Sequence, residues 1–287
     1  MGEGHAHGNN ANERATLIAA CLTGGFMVAE AAGGIIANSL TLIADAAHML
    51  TDTAALLLAW WAFRQARRPS TPQMSYGHHR MPVLIAFANA IVLLLLSLWI
   101  VVEAIQRFFE PEPVAGGTML VIASLGLVVN LVAFRVLSRG STDNLNIRSA
   151  MLHVISDILG SVAALIAGLV ITLTNWTPID PLLSLLVSVL ILRTTMKLLR
   201  RSAHILLEGA PEGVTGKEIG ADLVANVAGV KGVHHVHAWS LSEEKLIATL
   251  HVRLEASADR ATTLAAIRSR LAEAFSVEHA TIELEVA

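Results

Sequence analysis

Six runs of roughly twenty or more apolar residues dominate this chain, at about 15–37, 40–63, 81–108, 117–138, 147–174 and 178–200. A helix needs about 20 predominantly apolar residues to cross the hydrocarbon core of a bilayer. Each run is therefore expected to be one membrane-spanning helix, because a span must satisfy its own backbone hydrogen bonds. With 54% hydrophobic and 15% charged residues, the chain is too apolar for an ordinary soluble domain. An even number of spans returns both ends to one side. Arg64, Arg67, Arg68 and Arg80 flank the second connection, Arg135, Arg139 and Arg148 the fourth, and Lys197, Arg200 and Arg201 follow the last span. The loops around Asn38, FEPEPVAGG and TNWTPID hold no Lys or Arg, although Arg107 stands just before one of them. The positive-inside rule then places both termini in the cytoplasm, in a multi-pass protein of the cytoplasmic (inner) membrane.

The spans are not uniformly apolar. Glu30, Asp45, His48, Asp52, Asn130, His153 and Asp157 all fall within them, and ionisable groups at membrane depth are costly and mark ion paths. Two segments share a pattern. LIADAAHMLTDTAA carries His48 and Asp52, and MLHVISDILGSVAA carries His153 and Asp157. Residues at i and i+4 share a helix face, so each helix offers one nitrogen and one oxygen ligand, and the two together offer a four-ligand cage. The fifth span also carries Gly160, Ala164 and Gly168, a small-residue stripe that allows close helix approach.

Two imidazoles and two carboxylates suit Zn²⁺; Cd²⁺, Co²⁺ or Ni²⁺ can use the same set, whereas an all-oxygen set would better suit Mn²⁺ or Mg²⁺. Loading requires neutral imidazoles, so metal competes with protons, and His titrates near neutrality. No GxxxxGK[ST] sequence is present, which agrees with secondary transport driven by H⁺. Asp45, three residues before His48, lies on roughly the same face and either orients His48 or carries a proton. Glu30, Glu103 and Asn130 lack a comparable pattern and read as structural polar packing.

After Ser202 the composition becomes mixed. Ile219, Leu223, Val227 and Val230 mark a helix, Val233–Leu241 and Leu246–Leu254 two strands, Leu264, Ile267, Leu271 and Phe275 a second helix, and Ala280–Val286 a last strand. The expected fold is an α-helical membrane protein with six transmembrane helices plus a small cytoplasmic α/β domain of αββαβ order. Its expected divisions are a disordered tail over 1–14, the membrane domain over 15–202 and the cytoplasmic domain over 203–287. Strand parity leaves His251, Glu283 and Glu285 off the core face. A net charge of −3 points to no nucleic-acid partner, Cys21 alone excludes an intramolecular disulfide framework or a cysteine cluster, and the N-terminal segment has no signal-peptide pattern.

DAAHMLTD in the second span, LHVISD in the fifth, six spans and a tail opening with VHHVHAW together resemble the cation diffusion facilitator family. The resemblance runs over nearly the whole chain after about residue 14, and within the family it is to the zinc-exporting branch, which carries His and Asp on both helices. It implies a homodimer that exchanges cytoplasmic Zn²⁺ for external H⁺ by alternating access, and a tail with a ferredoxin-like, metallochaperone-type fold. It maps the transport site onto His48, Asp52, His153 and Asp157. It maps a cytoplasmic-domain zinc site, structural or regulatory, onto His234, His251, His279 and Glu285. His235 and His237 alternate with His234, Glu283 is an alternative to Glu285, and solvated surface His and Glu are the plain alternative. In a third family site, between spans two and three, only His78 matches, with Thr71 and Met74 at the other positions, so a weak loop site at most is expected. His5 and His7 would capture metal only weakly. The absence of a long His-rich loop between spans four and five points to a bacterial source.

Two rival functions differ in kind. A membrane metallohydrolase would keep an open zinc position and has no HExxH stretch here. A metal-responsive receptor or scaffold without flux would leave the intramembrane cage unexplained.

Overall fold

The computed structural model describes residues 3–66, 68–138, 145–242 and 245–286; for 3–17, 19–20, 56, 59–60, 63, 145–150, 152–153 and 286 it describes the backbone alone. Long helices come first: α1 (Glu3–Ala37), α2 (Leu40–Ala66), α3 (Met81–Phe109), α4 (Gly116–Leu137), α5 (Leu145–Thr174) and α6 (Ile179–Leu206). The C-terminal segment follows as α7 (Gly216–Asn226), β1 (Val230–Ser240), β2 (Leu246–Leu254), α8 (Arg260–Phe275) and β3 (His279–Val286). By length and composition α3, α4, Val154–Thr174 of α5, and α6 can each cross a membrane, and α1 contributes a shorter apolar stretch, Cys21–Ala37. α1 is helical from Glu3 and so takes in most of the stretch expected to be unstructured, where no proline interrupts it.

The chain divides into two compact units, one of Met1–Leu56 with Asn89–Met196 and one of Leu57–Ala88 with Lys197–Ala287. The expected boundary after residue 202 followed composition. The units follow contacts instead, so the end of α2, the start of α3, their connecting loop and the end of α6 group with the C-terminal segment.

In the first unit α1 and α2 form a tight hairpin. Asn38 takes a left-handed conformation (φ 53°); its amide donates to Ile35 O (3.2 Å) and that of Ser39 to Gly34 O (2.9 Å), the paired bonds of a Schellman stop. Ser39 Oγ then accepts from Leu42 N (3.3 Å) as the N-cap of α2. A second cap comes from α6, where the fully buried Asp180 accepts from Ser39 Oγ (2.7 Å), Leu40 N (2.7 Å) and Thr41 N (3.2 Å). Arg107 on α3 donates to Asn38 O (3.0 Å) and pairs with Glu103 one turn earlier (2.8 Å). α4 packs against both α1 and α5, and glycines set the spacing. A Cβ at Gly126 would stand 2.7 Å from the Phe26 ring, and one at Gly168 would stand 3.0 Å from Leu120 N. Val121 (67% exposed) and Leu173 (72%) face outward, as the lipid-facing side of a bundle requires.

In the second unit, β1 pairs antiparallel with β2, and β2 parallel with β3, in the order β1-β2-β3. α8 makes the crossover that a parallel pair needs. Ile219, Leu223, Leu250, Val252, Ile267 and Leu271 form a fully buried core, each contributing about 1.5–3 kcal/mol by burial. Thr215 and Glu218 form a capping box at the start of α7, and Asp259 caps α8 by accepting from Thr262 N (2.8 Å). α7 ends at Asn226, so Val227 and Val230, expected on its face, lead into β1 instead while remaining buried.

Candidate metal sites

α2 presents Asp45, His48 and Asp52 at three- and four-residue spacing, one stripe of the helix. His48 Nε2 stands 3.7 Å from Asp52 Oδ2, so the i, i+4 pair expected from spacing is formed. α5 carries His153 and Asp157; Asp157 is buried, and the side chain of His153 lies outside the described residues. The two helices meet where Asp45 rests on Gly160, since a Cβ on Gly160 would stand 2.8 Å from each carboxylate oxygen of Asp45. Asp45 also interacts electrostatically with Asp157. His48, Asp52 and Asp157 do not draw together into one tight triad; among the described residues His234, His251 and Glu285 alone bring three ligand atoms within 4.8 Å of one another.

Three further residues shape this part of the bundle. Glu30 on α1 is buried and interacts electrostatically with both Asp45 and Asp157, so carboxylates from three helices converge. The signal was its position in an apolar run, but nothing in a sequence reports which helix faces which. Gly160, expected as one of a small-residue stripe, receives Asp45, and Asp180, expected in the TNWTPID loop, caps α2. Asn130 does act as polar packing, donating to Ser161 Oγ (3.2 Å).

In the second unit, register brings His234, His251 and Glu283 into one row across the three strands, with Glu285 one side chain further along β3. His234 Nε2 and His251 Nδ1 each lie 3.3 Å from Glu285 Oε1. Adjacent ligand atoms on a tetrahedral zinc at about 2.0 Å stand about 3.3 Å apart, which both His–Glu285 separations match, and all three ligand atoms lie within 4.8 Å of one another. The other nitrogen of His251 stands 3.6 Å from Glu283 Oε2, beyond hydrogen-bond distance. Burial raises the pKa of Glu285, but hydrogen bonds from Arg253 and His251 and the nearby charges of His234 and Arg253 outweigh it and hold the carboxyl below its usual range. It is therefore an anion ready for a cation at neutral pH.

The fourth residue expected in this cluster, His279, lies elsewhere. It opens β3 opposite Ile247, four pairs from His251, and its ring meets Tyr76 edge-on at 6.0 Å. Strand rise explains the difference: at about 3.3 Å per residue, six positions separate His279 from Glu285 by far more than one coordination shell. β1 also carries a bulge between His234 and His237, where His235 has φ 50°. Holding a non-glycine residue there costs about 1–3 kcal/mol.

The loop between α2 and α3 brings no metal cluster together among the described residues. Met74 N donates back to Thr71 O (3.0 Å) in a turn. His78, the one matching position, stands in it without a second ligand of that set. His79 instead packs beside Lys245, with 3.4 Å between Nε2 and Nζ; burial first, and that ammonium second, lower its pKa. Arg80 pairs with Glu208 (3.0 Å).

Residues 16–207 match the cation efflux transmembrane domain and residues 211–287 the cation efflux protein cytoplasmic domain. The chain is similar to the zinc transporter ZitB of Pectobacterium atrosepticum, at 45% identity over 99% of this chain and 89% of that protein. It is also similar to the metal cation efflux system protein CzcD of Cupriavidus metallidurans (38%, 100% and 91%) and to the cadmium, cobalt and zinc/H(+)-K(+) antiporter of Bacillus subtilis (42%, 83% and 77%). With both halves of the chain matched and relatives aligned along nearly its full length, the chain belongs to the cation efflux family.

Proposed function

We propose that this chain is a proton-coupled antiporter that exports Zn²⁺ from the cytoplasm by alternating access, with His48, Asp52, His153 and Asp157 as its transport site. The observation that supports the reading is the Asp45–Gly160 contact, with Asp45 three residues before His48 on α2 and Gly160 three residues after Asp157 on α5, in a chain of the cation efflux family. Neutral imidazole binds zinc and protonated imidazole does not, so the same nitrogens load metal from the cytoplasm and protons from outside. Asp45 serves beside them by orienting His48 or carrying a proton. All six helices α1–α6 cross the cytoplasmic membrane, both termini lie in the cytoplasm, and the protein works as a homodimer. The C-terminal segment is a ferredoxin-like domain that binds a second zinc through His234, His251 and Glu285. This reading is supported by the 3.3 Å spacing of their ligand atoms.

Everted vesicles test it. Vesicles containing the protein should accumulate Zn²⁺ when their lumen is acidic, and His48→Ala or Asp157→Ala should abolish accumulation while the protein still folds. Unchanged flux in both variants would remove the site assignment, and no flux in the native protein would remove the antiporter.

A further inference from the structure

We propose that His235 is the fourth ligand of the cytoplasmic metal site, delivered by the β-bulge in β1, so that the site is three imidazoles and one carboxylate. This rests on the reading that His234, His251 and Glu285 bind zinc. In a regular strand consecutive side chains point to opposite faces, so His235 would point away from its neighbour. The register shift between His234 and His237, with φ 50° at His235, breaks that alternation and turns the second ring back toward the cluster.

The ring geometry matches. With Zn–N at about 2.0 Å, two imidazoles on one tetrahedral ion have centroids about 5.2 Å apart. Here His235 and His251 are separated by 5.2 Å, His234 and His251 by 5.4 Å, and His234 and His235 by 5.6 Å. All three pairs thus have the separation of rings that share an ion; the ligand atoms of His235 do not join the three that lie within 4.8 Å of one another, and rotation about its side-chain bonds is the step that would bring a nitrogen to them. A bulge that places two adjacent residues on one side serves two neighbouring ligands, a use bulges have where a side chain must be re-aimed.

Zinc affinity of the full-length protein in detergent tests this, measured against a chelator on an Asp157→Ala background so that the transport site does not contribute. Glycine takes positive φ without strain, so His235→Gly keeps the bulge and removes only the imidazole. It should weaken zinc binding by about tenfold or more, within the range for loss of a supporting group, and Co²⁺ bound in place of zinc should lose intensity in its visible bands. His235→Asn, which also tolerates this backbone, should do the same, guarding against misfolding of either variant. His279→Ala should bind zinc as the parent does. Parental affinity in both His235 variants, with binding lost in His251→Ala, would overturn the fourth ligand and leave the site standing. Parental affinity in His251→Ala as well would overturn the site and the proposal together.

Discussion

Asp45 of α2 rests directly on Gly160 of α5, leaving no room for a methyl group between its carboxylate and the facing helix backbone. Gly160→Ala is therefore expected to push the Asp45 carboxylate off α5, with an overpacking cost of about 1–3 kcal/mol and a several-fold loss of zinc accumulation in vesicles. Gly117→Ala, where a Cβ would meet nothing within 4 Å, is the matched control and should transport normally. Equal transport by both variants would show that the contact does not set the helix spacing the site needs.

Asp180 caps a helix to which it does not belong. Asp180→Ala strips the acceptor from Leu40 N and Thr41 N in a buried setting, where each orphaned group costs about 1–3 kcal/mol. Thermal unfolding in detergent should shift down by several degrees, and Asp180→Asn, which retains one oxygen, by less. A melting temperature unmoved by Asp180→Ala would show that water or a rearranged loop replaces the cap.

The bidentate Arg270–Asp222 pair (2.8 and 2.6 Å) joins α8 to α7. The hydrogen bond from Arg270 is the main cause that lowers the pKa of Asp222, against some opposing burial. A carboxylate with a depressed folded pKa contributes stability that is complete above its unfolded value, about 3.9, and is lost as pH falls through the folded value. Hydrogen exchange in α7 and α8 should therefore speed up as pH drops below about 4, after correction for intrinsic rates. Asp222→Asn should remove that acid-dependent increment, and an identical acid limb in the variant would count against the pair.

Arg80 and Glu208 make a closer pair than their energetic weight suggests. Glu208 is 61% exposed by its side chain, and exposed pairs contribute about 0.2–1 kcal/mol. A double-mutant cycle on Arg80→Ala and Glu208→Ala, read by thermal stability, should give a coupling under about 1 kcal/mol that fades in 1 M salt. A larger, salt-insensitive coupling would mean that the pair is shielded from water.

Spacing along the chain was enough to find the six long helices, the αββαβ order, the His48–Asp52 pair and the core faces of β2 and α8, because those are period-two and period-3.6 properties that a helix or strand imposes on its own residues. Even the choice of His234 needed pairing, since His235 and His237 alternate with it and β1 register alone sets His234 opposite His251. The sequence by itself determined which residues are apolar, which can ligate a metal and which turn of which element carries them. The tertiary structure alone decided that Asp180 would cap α2, that Gly160 would receive Asp45, that Glu30 would join two carboxylates from other helices, that a bulge would turn His235, and that His279 would meet Tyr76 rather than the cluster. Each of these depends on an approach between segments distant in sequence, and such approaches are set by how whole faces pack and by the register in which strands pair, neither of which is encoded in the spacing within any one element.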